Sequence, residues 1–365
     1  MWTEQQKAAL KSVDKWFYHE SKRKQIFRVF GYAGVGKTTL ARHFAENIDG
    51  YVAFAAFTGK AALVMRKNGC ADARTIHSLI YIAKVDSKTG EVEWRLNKES
   101  PLKDAKLLII DECSMVDEDL AKDVLSFNTP VLVLGDPAQL PPVKGAGYFT
   151  EAEPDVMLTE IHRQSKDNPI IYLATQIRQG IYPDVGEYDE SKVVTKISSK
   201  DALDADQILV GRNVTRCDIN KRMRRFLKLD PDIPVSTDKL ICLKNDKNHG
   251  IFNGGMFTLS KILKQKYKTN FFRMMLESDD EERPPLVTKV HKSFFMDDVH
   301  VPDWKTLKGS QQFDYGYAIT AHKSQGSQWE NVLIHDESFC FRDQWQRWLY
   351  TAVTRASERV TIIKS

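Results

Sequence analysis

The sequence feature that most constrains the fold is a glycine-rich loop at residues 31–40, GYAGVGKTTL. An apolar run at residues 25–30 precedes the loop and a helical pattern at residues 38–47 follows it, which is the context in which phosphate-binding loops occur. Its glycines let backbone N–H groups turn toward a phosphate chain, and the helix start adds partial positive charge. Lys37 can then contact the β- and γ-phosphates, and the Thr38 hydroxyl can hold Mg²⁺. A glycine turn beside an unrelated lysine is the alternative, but the complete G-x-x-x-x-G-K-T pattern favours binding of a nucleoside triphosphate.

Two acidic residues follow a second apolar run. Residues 107–110 are all apolar, as expected for a strand buried on both faces of a parallel sheet, and Asp111 and Glu112 come directly after it. Ligands of such sheets bind at the carboxyl ends of the strands. Asp111 can hold Mg²⁺ through a water, and Glu112 can orient and deprotonate an attacking water. A run at residues 130–136 repeats this layout, and the amide of Gln139 in the loop beyond it can sense the γ-phosphate.

Composition sets only broad limits. The chain has 365 residues, enough for two or three domains, and its net charge of +4 means that any nucleic-acid contact would come from a local groove. Its five cysteines lack metal-ligand spacing and are predicted to be reduced, intracellular thiols. The sequence shows no signal-peptide pattern and no apolar run long enough to span a bilayer, so we expect an intracellular protein without a membrane partner.

Polar residues after other core elements are weaker candidates. Gln6 begins a helix predicted from Thr3 onward, and its amide can both donate to and accept from an adenine edge, although such a residue is more often simply exposed. Thr58, Thr75 and His77 follow predicted core elements and suit phosphate-backbone contacts. A structural role is the common alternative for such a histidine.

Residues 83–101 interrupt the alternation of strands and helices. Val92 and Trp94 alternate beyond a turn pattern at residues 88–90, which predicts a β-hairpin. The alternative is an ordinary surface excursion with one half-buried tryptophan.

Several motifs together resemble one family. TEQQKAAL, GYAGVGKTT, AAFTGKAA, RTIHS, DECSM and GDPAQLPPV stand in the order seen in superfamily 1 helicases, and LTEIHRQ, AITAHKSQGSQWENVLI and YTAVTRA complete the series. The sequence is similar to the 5′→3′ branch, which includes the phage Dda helicases and the RecD-like helicases. The resemblance extends from about residue 3 to residue 363. Two departures are Tyr32, where this branch commonly has proline, and Gln328, where many relatives have a glutamate that contacts ribose.

The resemblance implies a role for each matching residue. The implied catalytic residues are Lys37, Glu112, Gln139, Arg163 and Arg355, the two arginines reaching the γ-phosphate. The implied nucleotide-binding residues are Gln6, Gly34, Val35, Gly36, Lys37, Thr38, Thr39, Arg163 and Arg355, with Thr38 and Asp111 at the metal. The implied DNA-binding residues are Thr58, Thr75, His77, His322 and Lys323, with Trp94 as the aromatic of a strand-separating hairpin. Arg212, at the end of a predicted strand at residues 206–211, is added as a candidate DNA-binding residue. The cationic helix beyond it, with Lys221, Arg222, Arg224 and Arg225, either lines the strand path or is an exposed face.

The implied fold is α/β, with two RecA-like P-loop domains built on parallel sheets. The first would comprise residues 1–154, with the hairpin insertion at about residues 83–101. The second would comprise residues 155–240 and 310–365, interrupted by a small SH3-like β-barrel at residues 241–309.

The implied function is an ATP-dependent, Mg²⁺-dependent DNA helicase of replication or repair. It would move 5′→3′ on single-stranded DNA, unwind forked duplex DNA and work as a monomer, with single-stranded-DNA-binding or replication proteins as possible partners. One alternative is an ATPase or translocase that acts on RNA or displaces bound proteins. Others are a binding module that uses ATP as a switch, and a small-molecule kinase, although a kinase would not need the second core.

Overall fold

The computed structural model describes residues 2–85, 92–141, 147–160, 168–244, 246, 251, 253–264, 269–279, 283–296, 303 and 305–364, and only the backbone of residues 83–85 and 92–94. The chain forms two compact units, Met1–Gln179 and Gly180–Ser365.

The first unit alternates strands and helices. Its elements are α1 (Glu4–Lys15), β1 (Ile26–Gly31), α2 (Lys37–Ala45), β2 (Val52–Ala56), α3 (Gly59–Lys67), β3 (Arg74–Thr75), α4 (Ile76–Ile80), β4 (Tyr81–Val85), β5 (Val92–Leu96), β6 (Leu107–Asp111), α5 (Glu118–Leu125), β7 (Val131–Gly135), β8 (Val156–Leu158) and α6 (Pro169–Arg178). Six of the strands form one parallel sheet in the order β3-β2-β6-β7-β1-β8. Every residue of β7 and the first four of β6 are buried, because helices cover both faces of such a sheet. The sequence prediction of a parallel P-loop core is therefore confirmed.

The first unit extends beyond the predicted boundary at residue 154. β8 pairs in parallel with β1, with Val29 opposite Val156. The side chain of Gln5 fixes the chain just after β8, since it accepts the N–H groups of Thr159 at 2.8 Å and Glu160 at 2.9 Å. Since β8 completes the first sheet, the start of the second core at residue 155 was placed too early.

The predicted hairpin is present as β4 and β5, which pair antiparallel with Ala83 opposite Trp94. The predicted turn at residues 88–90 lies outside the described residues. Trp94 is the third residue of β5, so its backbone position is known while its side chain is not described.

The second unit contains another mainly parallel sheet. Its elements are β9 (Gly186–Tyr188), β10 (Ser191–Val194), α7 (Ser199–Asp204), β11 (Gln207–Val210), α8 (Asn213–Phe226), β12 (Lys239–Cys242), β13 (Met256–Ile262), β14 (Phe271–Ser278), β15 (Leu286–His291), β16 (Phe313–Tyr315), β17 (Ala318–Thr320), β18 (Trp329–His335), α9 (Trp345–Val353) and β19 (Ala356–Ile363). The sheet order is β17-β11-β18-β19-β10-β9, parallel except for β9 against β10.

A separate antiparallel sheet carries the predicted insertion. Its order is β15-β14-β13-β12-β16, so its strands span Lys239 to Tyr315 rather than residues 241–309. Its interior is continuous with that of the parallel sheet, since Leu240 and Phe313 belong to the same buried cluster as Val210. The SH3-like character of this sheet stays a prediction.

Arg224 departs from both predictions made for the cationic helix. It is fully buried and forms an ion pair with Asp238, and its Nη2 donates to Ile233 O at 2.6 Å. Its guanidinium lies 4.2 Å from the ring centroid of Tyr315, and the Tyr317 hydroxyl donates to Asp238 at 2.7 Å. Arg224 therefore joins α8 to the antiparallel sheet and cannot line an exposed strand path.

All five cysteines are free thiols, and Cys70, Cys113 and Cys242 are buried. Burial raises the pKa of Cys70 to about 11. Among the described residues, no helix has both the length and the apolar character needed to cross a lipid bilayer.

Candidate functional site

The phosphate loop joins the end of β1 to the start of α2. Gly34 and Gly36 have φ angles of 79° and 77°, in the left-handed region that side chains disfavour. A Cβ at Gly31 would lie 2.7 Å from Val35 Cγ2 and 2.9 Å from Leu158 Cβ, so the loop also needs glycine at its first position. The local sequence therefore forces the chain into a turn that ends at Lys37, the first residue of α2.

The loop opens onto a cavity of about 610 Å³. Its lining residues are Gly34, Gly36, Lys37, Thr38, Thr39, Arg42, Lys67, Asn68 and Gly69. Lys37 Nζ donates to two loop carbonyls, Gly31 O at 2.8 Å and Tyr32 O at 3.1 Å. Five of the six predicted loop residues, all except Val35, thus line one cavity. Arg42 and Lys67 add positive charge that the sequence did not indicate.

The predicted metal pair lies together beside the loop. Thr38 Oγ1 donates to Asp111 Oδ2 at 2.6 Å, and Asp111 Oδ1 accepts the backbone N–H of Glu112 at 2.8 Å. A hydroxyl and a carboxylate are oxygen ligands of the kind Mg²⁺ prefers, and Mg²⁺ usually takes its other ligands from water and phosphate. The residues therefore fit Mg²⁺.

Glu112 has a strained backbone. Its φ of 52° and ψ of 44° place a non-glycine residue in the left-handed region, at a cost of order 1–3 kcal/mol. The conformation turns the chain sharply at the end of β6, directly after Asp111. Such strain is concentrated at functional sites, which agrees with the catalytic role predicted for this residue.

The two predicted glutamines are both buried. Gln6 Oε1 accepts the N–H of Thr3 at 2.9 Å, and its Nε2 donates to Val35 O at 2.9 Å. Gln6 therefore caps α1 and ties that helix to the phosphate loop, a contact the sequence did not predict. Gln139 lies in the turn after β7, where its N–H donates to Asp136 O at 3.2 Å.

Of the two predicted arginines, Arg355 lies in the part of the chain that the structure describes. Arg163 lies outside the described residues. Arg355 lies between α9 and β19 and is buried, with Nε donating to Thr351 O at 3.1 Å and Nη1 to Ser327 O at 3.3 Å. Their contact with the γ-phosphate stays a prediction.

Among the predicted strand contacts of the first unit, His77 is exposed. Its ring lies 5.8 Å from those of Phe57 and Tyr81. The hydroxyls of Thr58 and Thr75 accept the N–H groups of Ala61 and Ser78, each at 3.1 Å, and so cap α3 and α4. Both threonines thus have a local structural role beside the predicted one.

Arg212, a predicted strand contact of the second unit, is bound by Glu337, which the sequence analysis did not identify as a candidate. Glu337 is 1% exposed, and its carboxylate accepts the N–H groups of Gly211 and Arg212, the Thr215 hydroxyl and Arg212 Nε, all within 2.9 Å. Burial alone would raise the pKa of Glu337, but the hydrogen bonds from Thr215 and Arg212 lower it below the ordinary value. The sequence held a signal for Glu337, because the acidic pair Asp336 and Glu337 directly follows β18, much as Asp111 ends β6 and Glu112 follows it.

His322 and Lys323 follow β17 and are half-buried. Burial lowers the pKa of His322, whose ring lies 5.6 Å from that of Phe341. Burial and the charge of Arg216 lower the pKa of Lys323. The two residues place a ring and a cation near the ends of β11 and β17.

Family models match two parts of the chain. An AAA domain matches residues 2–199, and a UvrD-like helicase C-terminal domain matches residues 315–363. The ATP-dependent RecD2 DNA helicase of Deinococcus radiodurans is 27% identical over 364 residues, which cover 90% of this chain and 45% of that protein. The chain therefore spans less than half the length of this relative.

Solved structures agree with the fold. A structure of two coordinating Pif1 helicases unwinding forked duplex DNA matches with a TM-score of 0.61 at 20% identity, covering 100% of this chain and 92% of that one. A Pif1 helicase from Bacteroides in complex with ADP-AlF3 and single-stranded DNA matches with a TM-score of 0.58 at 20% identity, covering 99% and 92%. At this identity the matches show a shared fold. Because the AAA domain model matches more than half of its residues, the chain belongs to the AAA domain family, and its residues 315–363 match a UvrD-like helicase C-terminal domain.

Proposed function

We propose that this chain is an ATP-dependent, Mg²⁺-dependent DNA helicase that moves 5′→3′ on single-stranded DNA and unwinds duplex DNA. The observation that carries the proposal is the 2.6 Å hydrogen bond from Thr38 to Asp111, which joins the first turn of α2 to the paired acids at the end of β6. The names of the relatives support it, since RecD2 is a DNA helicase and the Bacteroides Pif1 binds single-stranded DNA with a nucleotide analogue. The direction of movement rests on the family branch.

Hydrolysis uses the residues around the phosphate loop. Phosphate oxygens would take the place of Gly31 O and Tyr32 O as partners of Lys37 Nζ, while loop N–H groups bind the phosphate chain. Thr38 and Asp111 would hold Mg²⁺, which when bound neutralises charge on the phosphates. Glu112 orients the attacking water and accepts its proton, and Gln139 lies in the loop proposed to sense the γ-phosphate.

Arg163 and Arg355 are proposed to stabilise charge on the transferred phosphate. A planar guanidinium with a permanent charge suits that role. Arg355 Nε and Nη1 donate to backbone carbonyls at 3.1 and 3.3 Å, and Nη2 donates to Thr354 Oγ1 at 3.3 Å, so a phosphate contact would replace some of these hydrogen bonds. Gln6 is proposed to contact adenine from its place beside the loop.

Strand binding is proposed to depend mainly on phosphate contacts. The residues proposed to make these contacts are His77, Arg212, His322 and Lys323. Thr58 and Thr75, which lie in motifs of the same kind, are proposed to contact the strand as well. Such binding is tolerant of sequence and weakens as salt rises. Single-stranded and forked DNA are therefore the proposed partners, and a monomer is the proposed active form.

Trp94 is proposed to lie at the fork. Opening a DNA base pair costs about 1.4 kcal/mol of stacking per step, and a base stacked on an aromatic side chain recovers about 1–3 kcal/mol. Backbone pairing of Trp94 with Ala83 supports a place on a hairpin, where an indole can be held rigidly.

The experiment measures ATP hydrolysis and strand separation on one forked substrate. The wild-type protein is expected to hydrolyse ATP faster when single-stranded DNA is added and to unwind the fork. Trp94→Ala is expected to lose unwinding while its strand-stimulated hydrolysis and melting temperature stay near the wild-type values. If the wild-type rate of ATP hydrolysis is the same with and without single-stranded DNA, the proposed function is contradicted. A lower melting temperature with both activities reduced together in Trp94→Ala would instead contradict only the fork role.

A further inference from the structure

One exposed aromatic side chain of the second unit lies in a segment that contacts two predicted DNA-binding residues. Phe339 is 63% exposed, in a 3-10 helix at Ser338–Gln344. Two residues before it, Glu337 binds Arg212, and two residues after it, Phe341 lies against His322. Phe339 thus stands in the chain between a residue that binds Arg212 and a residue that contacts His322, and both Arg212 and His322 are candidates for DNA binding.

The backbone that carries Phe339 is held on both sides. Glu337 receives its hydrogen bonds from the end of β11 and the first turn of α8. The ring of Phe341 stacks on that of Trp348, with centroids 5.5 Å apart and planes at 14°. A Cβ at Gly211 would lie 2.8 Å from Glu337 Cβ and 3.0 Å from Phe341 Cε2, which shows how closely β11 packs against both.

A fixed, exposed aromatic beside a cation suits one type of ligand. An exposed phenylalanine contributes little to the stability of its own fold, because its ring stays in water. The Arg212 side chain beside the same segment is 56% exposed and positively charged, and Val214 is 80% exposed. Single-stranded nucleic acids are bound by this combination of stacking surface and cation, because every base has a stacking face and every phosphate a negative charge.

We propose that Phe339 stacks on a base of single-stranded DNA, and that Glu337 is a positioning residue that orients Arg212 toward a neighbouring phosphate. The proposal rests on the proposed function, since it names residues that grip the strand. The ligand proposed to stack on the exposed Phe339 ring is a nucleic-acid base.

The test compares two oligonucleotides of equal length and charge, oligo-dT and an abasic oligomer, by fluorescence anisotropy. The wild-type protein should bind oligo-dT more tightly. Phe339→Ala should weaken oligo-dT binding by about 5- to 150-fold, the range for loss of one stacked base, and leave binding of the abasic oligomer unchanged. Phe339→Trp should restore the tighter binding of oligo-dT relative to the abasic oligomer. Phe226→Ala is the matched control, because it removes a half-exposed phenylalanine at the C-terminal end of α8. This control should change the affinity for neither oligonucleotide.

The positioning role has its own readout. Arg212→Ala should keep the preference for bases but reduce the slope of log affinity against log salt by about 0.7, the value for one single-strand phosphate contact. Glu337→Gln should give the same reduced slope, because it keeps the size of the side chain but removes the charge that holds Arg212. An unchanged slope in both variants would overturn this part.

The outcomes separate the inference from the function on which it rests. A wild-type protein that binds neither oligonucleotide would contradict the proposed function itself. If the wild type prefers oligo-dT and Phe339→Ala keeps that preference, the function stands and the stacking role is overturned. Equal weakening of both oligonucleotides in Phe339→Ala would also overturn it, because a structural or protein-docking role does not distinguish bases from abasic sites.

Discussion

Glu112→Gln is expected to abolish strand-stimulated ATP hydrolysis while nucleotide binding stays near the wild-type level. The amide keeps the size and shape of the side chain but cannot accept a proton from water. Loss of a general base lowers kcat by about 10²- to 10⁴-fold. The backbone N–H of residue 112 donates to Asp111 Oδ1 at 2.8 Å and is unchanged by the substitution. Thr38 and Asp111, the predicted metal ligands, should therefore stay in place. Turnover is measured with and without single-stranded DNA, and binding with a fluorescent nucleotide.

Two variants calibrate that result. Glu118→Gln makes the same chemical change at an exposed acid of α5 that pairs with Lys122, and should hydrolyse ATP normally. Lys37→Ala should lose hydrolysis and bind nucleotide more weakly, because it removes the cation that faces the phosphate cavity. Normal turnover in Glu112→Gln would remove this residue from the mechanism.

Arg224→Ala is expected to destabilise the second unit strongly. Removing one partner of a buried ion pair costs about 3–5 kcal/mol, because the other charge stays buried without compensation. Here Asp238 is fully buried, and its carboxylate would keep the Tyr317 hydroxyl and the Val235 N–H as partners among the described residues. The loss also removes the guanidinium from the Tyr315 ring. Denaturant unfolding should show an earlier transition for the second unit.

The control for Arg224 lies two residues away. Arg222 pairs with Asp218 at 2.7 Å, but its side chain is 72% exposed, so Arg222→Ala should leave the unfolding curve nearly unchanged. Replacing Arg224 and Asp238 together by apolar residues of similar volume should recover much of the lost stability, since a whole buried pair can often be replaced. If Arg224→Ala unfolds like the wild type, the buried pair does not join α8 to the antiparallel sheet.

Local patterns in the sequence were sufficient for much of the first unit. The apolar runs of β6 and β7 predicted buried parallel strands, which the structure contains. The phosphate loop was predictable because its glycines and Lys37 are constrained by backbone geometry within ten residues.

Features that depend on distant partners could not be predicted in this way. β8 has only three residues, and its place in the first sheet depends on β1, more than a hundred residues earlier. Arg224 has the same sequence context as its exposed neighbours Arg222 and Arg225, and only Asp238 and the antiparallel sheet make it buried. Thr58 and Thr75 were chosen for strand contacts, although a threonine before a helix is also a common cap.

The most direct test of the central claim is unwinding of two duplexes of the same sequence, one with a 5′ single-stranded tail and one with a 3′ tail. Release of the labelled strand is followed with ATP, without ATP, and with Glu112→Gln in place of the wild-type protein. We expect the wild type to unwind the 5′-tailed duplex only when ATP is present, with little action on the 3′-tailed duplex and none by Glu112→Gln. Unwinding from the 3′ tail alone, or strand release by Glu112→Gln at the wild-type rate, would contradict a 5′→3′ helicase powered by this site.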